Sequence, residues 1–411
     1  MNVSLVYRYD CLLIYGNVGF IMIMKKERQV LKMSYKRYSV RAVEHFCTDA
    51  FERFGFSKED AGRITDVLLL ADLYGIKSHG TQRLVRYHKS IEKGCVRVDA
   101  KPEIVFETPV SAVVDGHSGM GQLISIFAMN TAIEKAKKVG MAFVSVRNSN
   151  HFGIAGYYAK MASDAGMIGI CGTNSESIMV HTGSKQALLG SNPLAFAMPA
   201  EPYAFLFDAA TTVVPKGKLE VYHKASKDLG DGWAVDDSGE VCRNPEKVLS
   251  CIDGKVGAGG ILPVGGAGEE NGGHKGYGFS MICEILCAIT SGGATSNHHI
   301  RAKGTGAGTC HAFIAIDPKI FGDEQAIKAN LSEFLRELRE AKRANENVPI
   351  YTHGEKEILS YEQRMREGID IDISTLSEMA NICNYLGMDT ESYLGKLDLT
   401  EAKKGTYEIY N

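Results

Sequence analysis

The stretch MAFVSVRNSNHFGIAGYYAKMASDAGMIGIC, residues 141–171, indicates the fold class of this chain. An apolar run at 141–146 leads through a polar turn into a helical pattern at 153–164, and a second apolar run follows at 167–171. Short apolar runs bounded by glycine are typical of buried strands. Helical stretches between such runs indicate an α/β body. The stretch therefore predicts strand, helix and strand in succession.

The same alternation continues on both sides of this stretch. The other strand-like runs and helical patterns lie at 112–114, 121–139, 194–198, 205–207, 274–291 and 312–316. The usual dinucleotide signature, G-x-G-x-x-G between a strand and a helix, is missing from the sequence. We therefore expect a mixed-sheet α/β body that does not use the standard Rossmann loop.

Four regions are expected along the chain. An apolar run at 11–24 is short for a membrane span, which needs about 20 residues, and no small-residue cleavage site of a signal peptide follows it. Because helical periodicity begins only after Met33, that methionine is favoured as the native start. The regions are a non-native or disordered extension at 1–33, a helical region at 34–105, a mixed α/β cofactor-binding domain at 106–320 and a C-terminal helical region at 321–411.

The composition favours small-molecule chemistry. The formal net charge is −3, and 45% of the residues are hydrophobic, so no basic surplus points to a nucleic-acid partner. The ten cysteines are scattered, without a CxxC pair or a zinc-binding Cys/His spacing. We therefore expect reduced thiols in a cytoplasmic protein, no metal site and no membrane partner.

The segment Ser78-His79-Gly80-Thr81-Gln82-Arg83 is the first candidate for a functional site. On a helix capped by Ser78, the side chains of His79, Arg83 and Tyr87 share one face, because they are four residues apart. A guanidinium binds a carboxylate with two hydrogen bonds, and an imidazole exchanges a proton near neutral pH. A 2-hydroxy or 2-oxo acid needs both groups. The alternative is a solvated polar helix face.

Two further candidates follow strands. His151 lies in Arg147-Asn148-Ser149-Asn150-His151-Phe152-Gly153, where a strand is expected to give way to a helix, a common active-site position in α/β proteins. Asp208 ends the apolar run at 205–207 and can orient an imidazole or a cofactor amide. The alternatives are ordinary turn chemistry around His151 and a turn-capping carboxylate at Asp208.

The segment Gly272-Gly273-His274-Lys275-Gly276-Tyr277-Gly278 opens an apolar helix. A helix N-terminus attracts anions through its free N–H groups and its dipole, and Lys275 adds a positive charge. The segment therefore predicts a phosphate-binding site. The alternative is a glycine-rich loop with a simple helix cap.

Taken together, the motifs resemble those of the type-2 malate/L-lactate dehydrogenase family, which includes ureidoglycolate dehydrogenase, 2,3-diketogulonate reductase, sulfolactate dehydrogenase and piperideine-2-carboxylate reductase. The resemblance covers about residues 37–385. The matching segments, in the family's order, are Ser78-His79-Gly80-x-x-Arg83, Val114-Asp115-Gly116, Asn148–Gly153, Gly190-Ser191-Asn192-Pro193, Asp208–Thr211 and Gly273–Gly278. Thr352-His353-Gly354-Glu355 stands where the family usually has Pro-Gly-Glu.

The resemblance implies a non-Rossmann nicotinamide-binding fold and a homodimer with sites near the subunit boundary. It implies that His79 is the proton donor with Ser78 beside it, that Arg83 holds the substrate carboxylate, and that His151 is a rival for the proton role. Asp208 is expected to orient these groups. The cofactor contacts it implies are Ser175, Ala204, Phe205, Leu206, Phe207, Asp208, Ala209, Ala210, His274, Lys275, Gly354 and Glu355.

The expected reaction is hydride transfer between NAD or NADP and C2 of a small 2-hydroxy or 2-oxo acid, such as malate or L-lactate. One alternative is a reductase of a cyclic imine 2-carboxylate, or an enzyme for another such acid, namely diketogulonate, sulfopyruvate or ureidoglycolate. A second alternative, from another class, is a non-catalytic ligand-binding protein that retains the cofactor fold.

Overall fold

The computed structural model describes residues 4–14, 21–31, 35–224, 226–253, 258–299 and 308–399, with the backbone alone at 4–14, 21–31 and 224. The chain forms two compact units. One contains residues 1–39 and 368–411, and the other contains residues 40–367. No described helix is long and apolar enough to cross a membrane.

The described strands and helices, in chain order, belong to both units. The strands are β1 (Ser4–Ile14), β2 (Ile21–Leu31), β3 (Tyr35–Tyr38), β4 (Glu103–Thr108), β5 (Ser111–Asp115), β6 (Met141–Ser149), β7 (Ile168–Thr173), β8 (Met179–Val180), β9 (Ala187–Leu189), β10 (Leu194–Met198), β11 (Phe205–Ala209), β12 (Ala234–Val235), β13 (Gly260–Ile261), β14 (Thr309–Ile316) and β15 (Ile369–Asp372). The helices are α1 (Val40–Arg53), α2 (Lys58–Leu73), α3 (Leu84–Glu92), α4 (Gly121–Val139), α5 (Ala155–Asp164), α6 (Lys216–Lys224), α7 (Pro245–Asp253), α8 (Gly273–Glu284), α9 (Glu324–Glu340), α10 (Glu355–Glu367), α11 (Ile373–Leu386) and α12 (Thr390–Leu394).

A seven-stranded mixed sheet with the order β11-β10-β7-β14-β6-β5-β4 forms the centre of the larger unit. Strands β5 and β6 are parallel and are joined through α4, whereas the other neighbouring pairs are antiparallel. A Rossmann sheet is mostly parallel with a different strand order. The expectation of a mixed-sheet, non-Rossmann α/β fold is therefore confirmed.

Helices α4 and α5 pack on one face of this sheet and bury its apolar side chains. Tyr158, Phe313 and Met129 are almost fully buried there. Burial of each large apolar side chain contributes roughly 1.5–3 kcal/mol. On the other face, α8 and the π-helical turn Ile285–Ile289 pack against β6, β7 and β14. The sheet is therefore a rigid support for the loops that leave its strand ends.

Strand β6 is longer than its sequence pattern predicts. Strand β6 continues to Ser149, three residues beyond the expected end. The predicted polar turn at 147–149 is wrong, because these residues pair in the sheet: Arg147 pairs with Asp115 and Ser149 with Thr309.

A second sheet of four short strands, in the order β12-β13-β8-β9, lies within the same unit. Helices α6 and α7 pack together beside it around the buried side chains of Leu219, Leu229 and Val248. Residues Pro215, Lys216 and Gly217, at the start of α6, line the large cavity described below.

The smaller unit contains the antiparallel pair β3–β15 and the helices α11 and α12. Lys36 and Tyr38 both donate to the Leu394 carbonyl oxygen, at 2.6 and 2.7 Å. Over the expected extension at 1–33, the backbone at 4–14 pairs with that at 21–31, and residues 1–3, 15–20 and 32–33 lie outside the described residues. The four-region division of the chain, including a start at Met33, stays a prediction.

Candidate active site

Two stacked imidazoles mark the candidate site. The ring centroids of His79 and His151 are 5.5 Å apart, and the ring planes are inclined by 19°. His79 lies in a 3-10 turn after α2, and His151 lies in the loop that leaves the carboxyl end of β6. Although 72 positions separate them in the sequence, the fold brings together the two histidines that the motifs predict.

The expected single helix over the Ser78-His79-Gly80 motif is wrong. Two 3-10 turns, Lys77–His79 and Thr81–Arg83, precede α3, and Ser78 caps neither of them. A buried carboxylate causes the irregularity: Asp72 accepts hydrogen bonds from the Thr81 N–H at 2.8 Å and from the Thr81 hydroxyl at 2.5 Å. The turn is therefore held in place by the end of α2.

Gly80 is required where this turn passes Asp72. A Cβ atom at position 80 would lie 1.9 Å from the Asp72 Oδ1 atom, far inside contact distance. The Ser78 hydroxyl lies 2.9 Å from His79 Nδ1, and the Arg83 Nε–H donates to the Ser78 carbonyl oxygen. Close packing and hydrogen bonds thus hold the four motif residues in one turn, namely Ser78, His79, Gly80 and Arg83.

Hydrogen bonds to Nδ1 determine the tautomer of His151. The Tyr87 hydroxyl lies 2.7 Å from this atom, and the Gly153 backbone N–H donates to it at 3.4 Å. Because a backbone N–H only donates, Nδ1 is an acceptor, and the neutral ring carries its proton on Nε2. Burial raises the pKa of Tyr87 to about 12, so its hydroxyl keeps its proton as a donor.

Both imidazoles are held neutral. Burial in the protein, followed by the charges of Arg83 and Arg86, lowers the pKa of His79 from 6.5 to about 4. Burial also holds the pKa of His151 well below its ordinary value, with Arg86, His79 and Arg83 acting in the same direction. A neutral imidazole is ready to accept a proton from a hydroxyl group.

The side chains of His79 and His151 line a cavity of about 1030 Å³. Arg83 and Ser175 are the other predicted site residues that line it. The residues missed by the sequence predictions are Arg86, Ser90, Glu92, Lys93, Cys95, Asn150, Glu176, Ile178, Ser191, Pro215, Lys216, Gly217 and Glu220. Arg86 had a signal in the sequence, since it lies about one helical turn after Arg83, and Asn150 and Ser191 belong to motifs quoted above without a role assigned to them.

Ser175 is positioned by a buried polar network. Its backbone N–H donates to Asn192 Oδ1 at 3.1 Å, and its hydroxyl lies 3.2 Å from that of Ser191. The carboxylate of Glu284, on α8, accepts from Asn192 at 2.8 Å and from the side-chain amide of Asn174 at 3.1 Å. One buried carboxylate thus joins α8 to two loops at the cavity wall.

The predicted cofactor strand forms a second cluster with the segment before α10. The Leu206 N–H donates to the His353 carbonyl oxygen at 3.1 Å, and a Cβ at Gly354 would lie 2.8 Å from the Leu206 Cβ. Glu355 accepts from the Thr352 N–H at 3.1 Å at the start of α10. The segments 204–210 and 353–355 are therefore neighbours, although neither lines the cavity with the histidines.

Asp208 contacts a helix rather than an imidazole. Its carboxylate accepts the Gly156 N–H at 2.7 Å, at the start of α5, immediately after the loop that carries His151. Although solvent reaches Asp208, the surrounding protein raises the pKa of its carboxyl from 3.8 to about 6, and the charge of Glu357 adds to the effect. Asp208 thus steadies the His151 loop from the far side.

His274 and Lys275 lie exposed at the start of α8 and do not line the cavity. The glycines of their motif serve packing: a Cβ at Gly273 would lie 2.3 Å from the Gly266 carbonyl oxygen, and one at Gly276 would lie 2.2 Å from that of Val264. These glycines allow the 264–268 loop to pack closely against the start of α8.

The residues present fit a nicotinamide cofactor. The cavity volume of about 1030 Å³ is at the upper end of pockets that bind larger ligands, about 300–1,000 Å³. A small acid would occupy only a fraction of this space. Hydroxyl and ammonium donors on the wall, from Ser175, Ser191 and Lys216, suit amide and phosphate groups. The described residues include no group of ligands that could hold a metal ion.

Comparisons with known proteins identify the family of this chain. The malate/L-lactate dehydrogenase family model matches residues 38–380. Malate dehydrogenase of Pyrococcus abyssi is 40% identical over 362 residues, which are 88% of this chain and 98% of the relative. L-sulfolactate dehydrogenase of Methanocaldococcus jannaschii is 37% identical over 84% of this chain and 96% of its own.

A solved structure shares the fold over nearly its whole length. The crystal structure of malate dehydrogenase from Entamoeba histolytica has a TM-score of 0.83 and 36% identity, and the match covers 87% of this chain and 99% of that chain. The sequence-based resemblance is confirmed. The chain is an oxidoreductase that acts on the CH–OH group of small hydroxy acids with a nicotinamide cofactor, and it belongs to the malate/L-lactate dehydrogenase family.

Proposed function

We propose that Arg83 holds the carboxylate of a malate-like or L-lactate-like 2-hydroxy acid while His79 exchanges a proton with its C2 oxygen. The observation that carries this proposal is the placement of two stacked, neutral imidazoles beside Arg83 in one cavity. The nicotinamide cofactor, NAD or NADP, supplies or accepts the hydride at C2 when bound. The remaining chemistry belongs to side chains of the protein.

Arg83 is suited to the role of a clamp. Its Nε–H donates to the Ser78 carbonyl oxygen, which fixes the guanidinium next to the histidine-bearing turn. A fixed guanidinium binds a planar carboxylate and converts an encounter into a held geometry. The bound acid thereby presents its C2 oxygen to the neighbouring imidazole.

Substrate binding prepares His79 for either direction of the reaction. In the free protein the pKa of His79 is about 4, partly because of the charges of Arg83 and Arg86, so its neutral ring accepts the hydroxyl proton during oxidation. A bound carboxylate offsets those charges and raises the pKa of the imidazole. The protonated ring then donates to the carbonyl oxygen during reduction.

Ser78, His151 and Asp208 support this exchange. The Ser78 hydroxyl next to His79 Nδ1 orients that ring, and His151 carries a proton on Nε2 with which it polarises the substrate oxygen. Tyr87 holds the His151 ring through Nδ1, and Asp208 holds the start of α5 behind it. If His79 is not the proton carrier, His151 takes that role in this proposal.

The proposed cofactor contacts lie in three places. Ser175 lies at the cavity, whereas Ala204–Ala210 with Gly354 and Glu355 form a second group, and His274 with Lys275 form a third.

We also propose a homodimer, in which a second copy of the chain packs on the exposed apolar face formed by Phe279, Ile282, Ile285 and Ile289. This face continues along α8 from His274 and Lys275. The nine cysteines whose side chains the structure describes are unpaired thiols, which favours a cytoplasmic location.

A His79→Ala variant tests the proton role. We expect turnover to fall about 100-fold or more, the scale of general acid–base catalysis, while NADH and NADPH still bind in a fluorescence titration. The control is His151→Ala, measured in the same way. Near-normal turnover of His79→Ala with a collapsed His151→Ala would transfer the proton role to His151.

An Arg83→Lys variant tests the clamp. Lysine keeps the charge but loses the forked pair of donors, so the apparent KM for the acid should rise at least about 10-fold. Pyruvate, oxaloacetate, sulfopyruvate and piperideine-2-carboxylate should be assayed with both reduced cofactors. An unchanged KM refutes the clamp, and selective reduction of the cyclic imine favours the imine reductase reading.

A further inference from the structure

Arg86 lies at the junction of two cavities. It follows Arg83 by three residues, at the start of α3, and so lies near the same face of the helix. It lines the large cavity and also a smaller adjoining one of about 120 Å³. Both cavities share His79 and His151. Arg86 therefore faces the reacting groups from a position beyond the proposed clamp.

Arg86 also differs from the arginines that serve the fold. Arg63, Arg147 and Arg336 pair with carboxylates at 2.6, 3.0 and 2.5 Å. Within the part of the chain that the structure describes, the Arg86 guanidinium forms no ion pair, and the Arg86 backbone carbonyl accepts a hydrogen bond from the Ser90 hydroxyl at 3.0 Å. Its guanidinium is solvent-exposed within the cavity wall and is available to an anion.

The positive charge of Arg86 lowers the pKa values of both histidines in the site. After burial, Arg86 is the strongest influence that lowers the pKa of His151, and it is the second charge, after Arg83, that lowers the pKa of His79. The Arg86 side chain and both rings line the same two cavities. Arg86 lies about one helical turn from Arg83. When Arg83 holds one carboxylate of a substrate, an acidic group at the other end of that substrate can therefore reach the Arg86 guanidinium.

We infer that Arg86 recognises a second acidic group of the substrate, so that the site selects 2-oxo and 2-hydroxy acids with a carboxylate or sulfonate at the far end over monoanionic acids. This inference rests on the proposed function, because it requires Arg83 to hold the first carboxylate. Two guanidiniums bind a dianion in one orientation, with C2 held next to the imidazoles.

Paired substrates test the inference. Oxaloacetate carries the second carboxylate and pyruvate lacks it, and both are 2-oxo acids. For Arg86→Gln, kcat/KM with oxaloacetate should fall about 30-fold, mainly through KM, as expected for a lost charged hydrogen bond. With pyruvate it should change less than about 3-fold. Arg86→Lys should keep most of the preference for oxaloacetate, because it retains the charge.

Two further variants separate the causes. Lys89→Gln removes a positive charge one turn further along α3, outside the cavity wall, and should leave both substrates unaffected. Arg83→Gln should weaken both substrates alike. An equal loss with both substrates in Arg86→Gln, or no loss with oxaloacetate, overturns the inference. If the unmodified protein reduces no 2-oxo acid with either cofactor, the proposed function itself has failed.

Discussion

At the scale of single residues, the chemistry depends on imidazoles that the protein keeps neutral. His79, His151 and the fully buried His311 all have lowered pKa values, in each case mainly through burial. His311 bridges the hydroxyls of Thr173 and Ser149 at 2.7 and 2.8 Å, and its ring stacks on Phe152. It therefore fixes the loop that carries His151.

The lowered pKa values predict the pH profile of oxidation. Oxidation of L-malate needs a neutral imidazole, and kcat/KM reports the free protein. Because the pKa of His79 is about 4 rather than 6.5, the neutral form persists as the pH falls from 8 to 5.5. We expect a flat profile over this range, whereas an unshifted imidazole would lose about 90% of the rate at pH 5.5.

Steady-state rates across this pH range provide the measurement, with circular dichroism at each pH as the control for folding. A decline of kcat/KM with its midpoint near pH 6.5 would contradict the assignment of His79 as a neutral base with a lowered pKa. Arg86→Gln removes one of the charges that lower both histidine pKa values, so any acidic limb should move to higher pH.

At the scale of the element, the turn between α2 and α3 determines where His79 and Arg83 lie. Gly80→Ala should lower the free energy of unfolding by about 1–3 kcal/mol, because its Cβ would collide with the Asp72 carboxylate. It should also lower turnover, since the displaced Asp72 no longer holds Thr81. Urea denaturation and steady-state kinetics on the same sample measure both effects.

Gly62→Ala is the matched control for this turn. Gly62 lies within α2, and a Cβ there would meet nothing within 4 Å. Removal of a helical glycine should therefore stabilise the protein by about 0.5–1 kcal/mol and leave turnover unchanged. If Gly80→Ala behaved like Gly62→Ala, the close approach of Asp72 would not be required for the turn.

The same turn shows how far the sequence predicts the site. Periodicity located α4 and α5 to within a few residues, because their apolar faces follow the helical repeat. The motif identified His79 and Arg83 but assigned them to a regular helix, since spacing does not reveal a tertiary hydrogen bond from Asp72. The bonds from Asn174 and Asn192 to Glu284 span about a hundred residues, and no local pattern indicates them.

At the scale of the whole molecule, the predicted cofactor contacts are distributed among separate places on one chain. Ser175 lines the cavity of the two histidines, whereas His274 and Lys275 lie at the start of α8 and Gly354 lies beside Leu206. A homodimer with sites near the subunit boundary, which the family resemblance implied, would account for exposed contacts of this kind.

The apolar face of α8 offers the sharpest test of the homodimer. Phe279, Ile282, Ile285 and Ile289 are between 46 and 60% exposed, and a contiguous apolar patch of this kind is typical of a subunit contact. A variant carrying both Ile282→Asp and Ile289→Asp should elute as a monomer in size-exclusion chromatography with light scattering, because burial of two carboxylates opposes association.

The matched control is Phe334→Asp on α9, since Phe334 is 57% exposed but lies on a different helix. The Phe334→Asp variant should remain a dimer, with twice the mass of one chain. Loss of the dimer only in the α8 variant, together with weaker NADH binding, would connect the subunit contact to the cofactor site. A dimer that survives both aspartates would place the contact on another surface, whereas a monomeric unmodified protein would refute the homodimer itself.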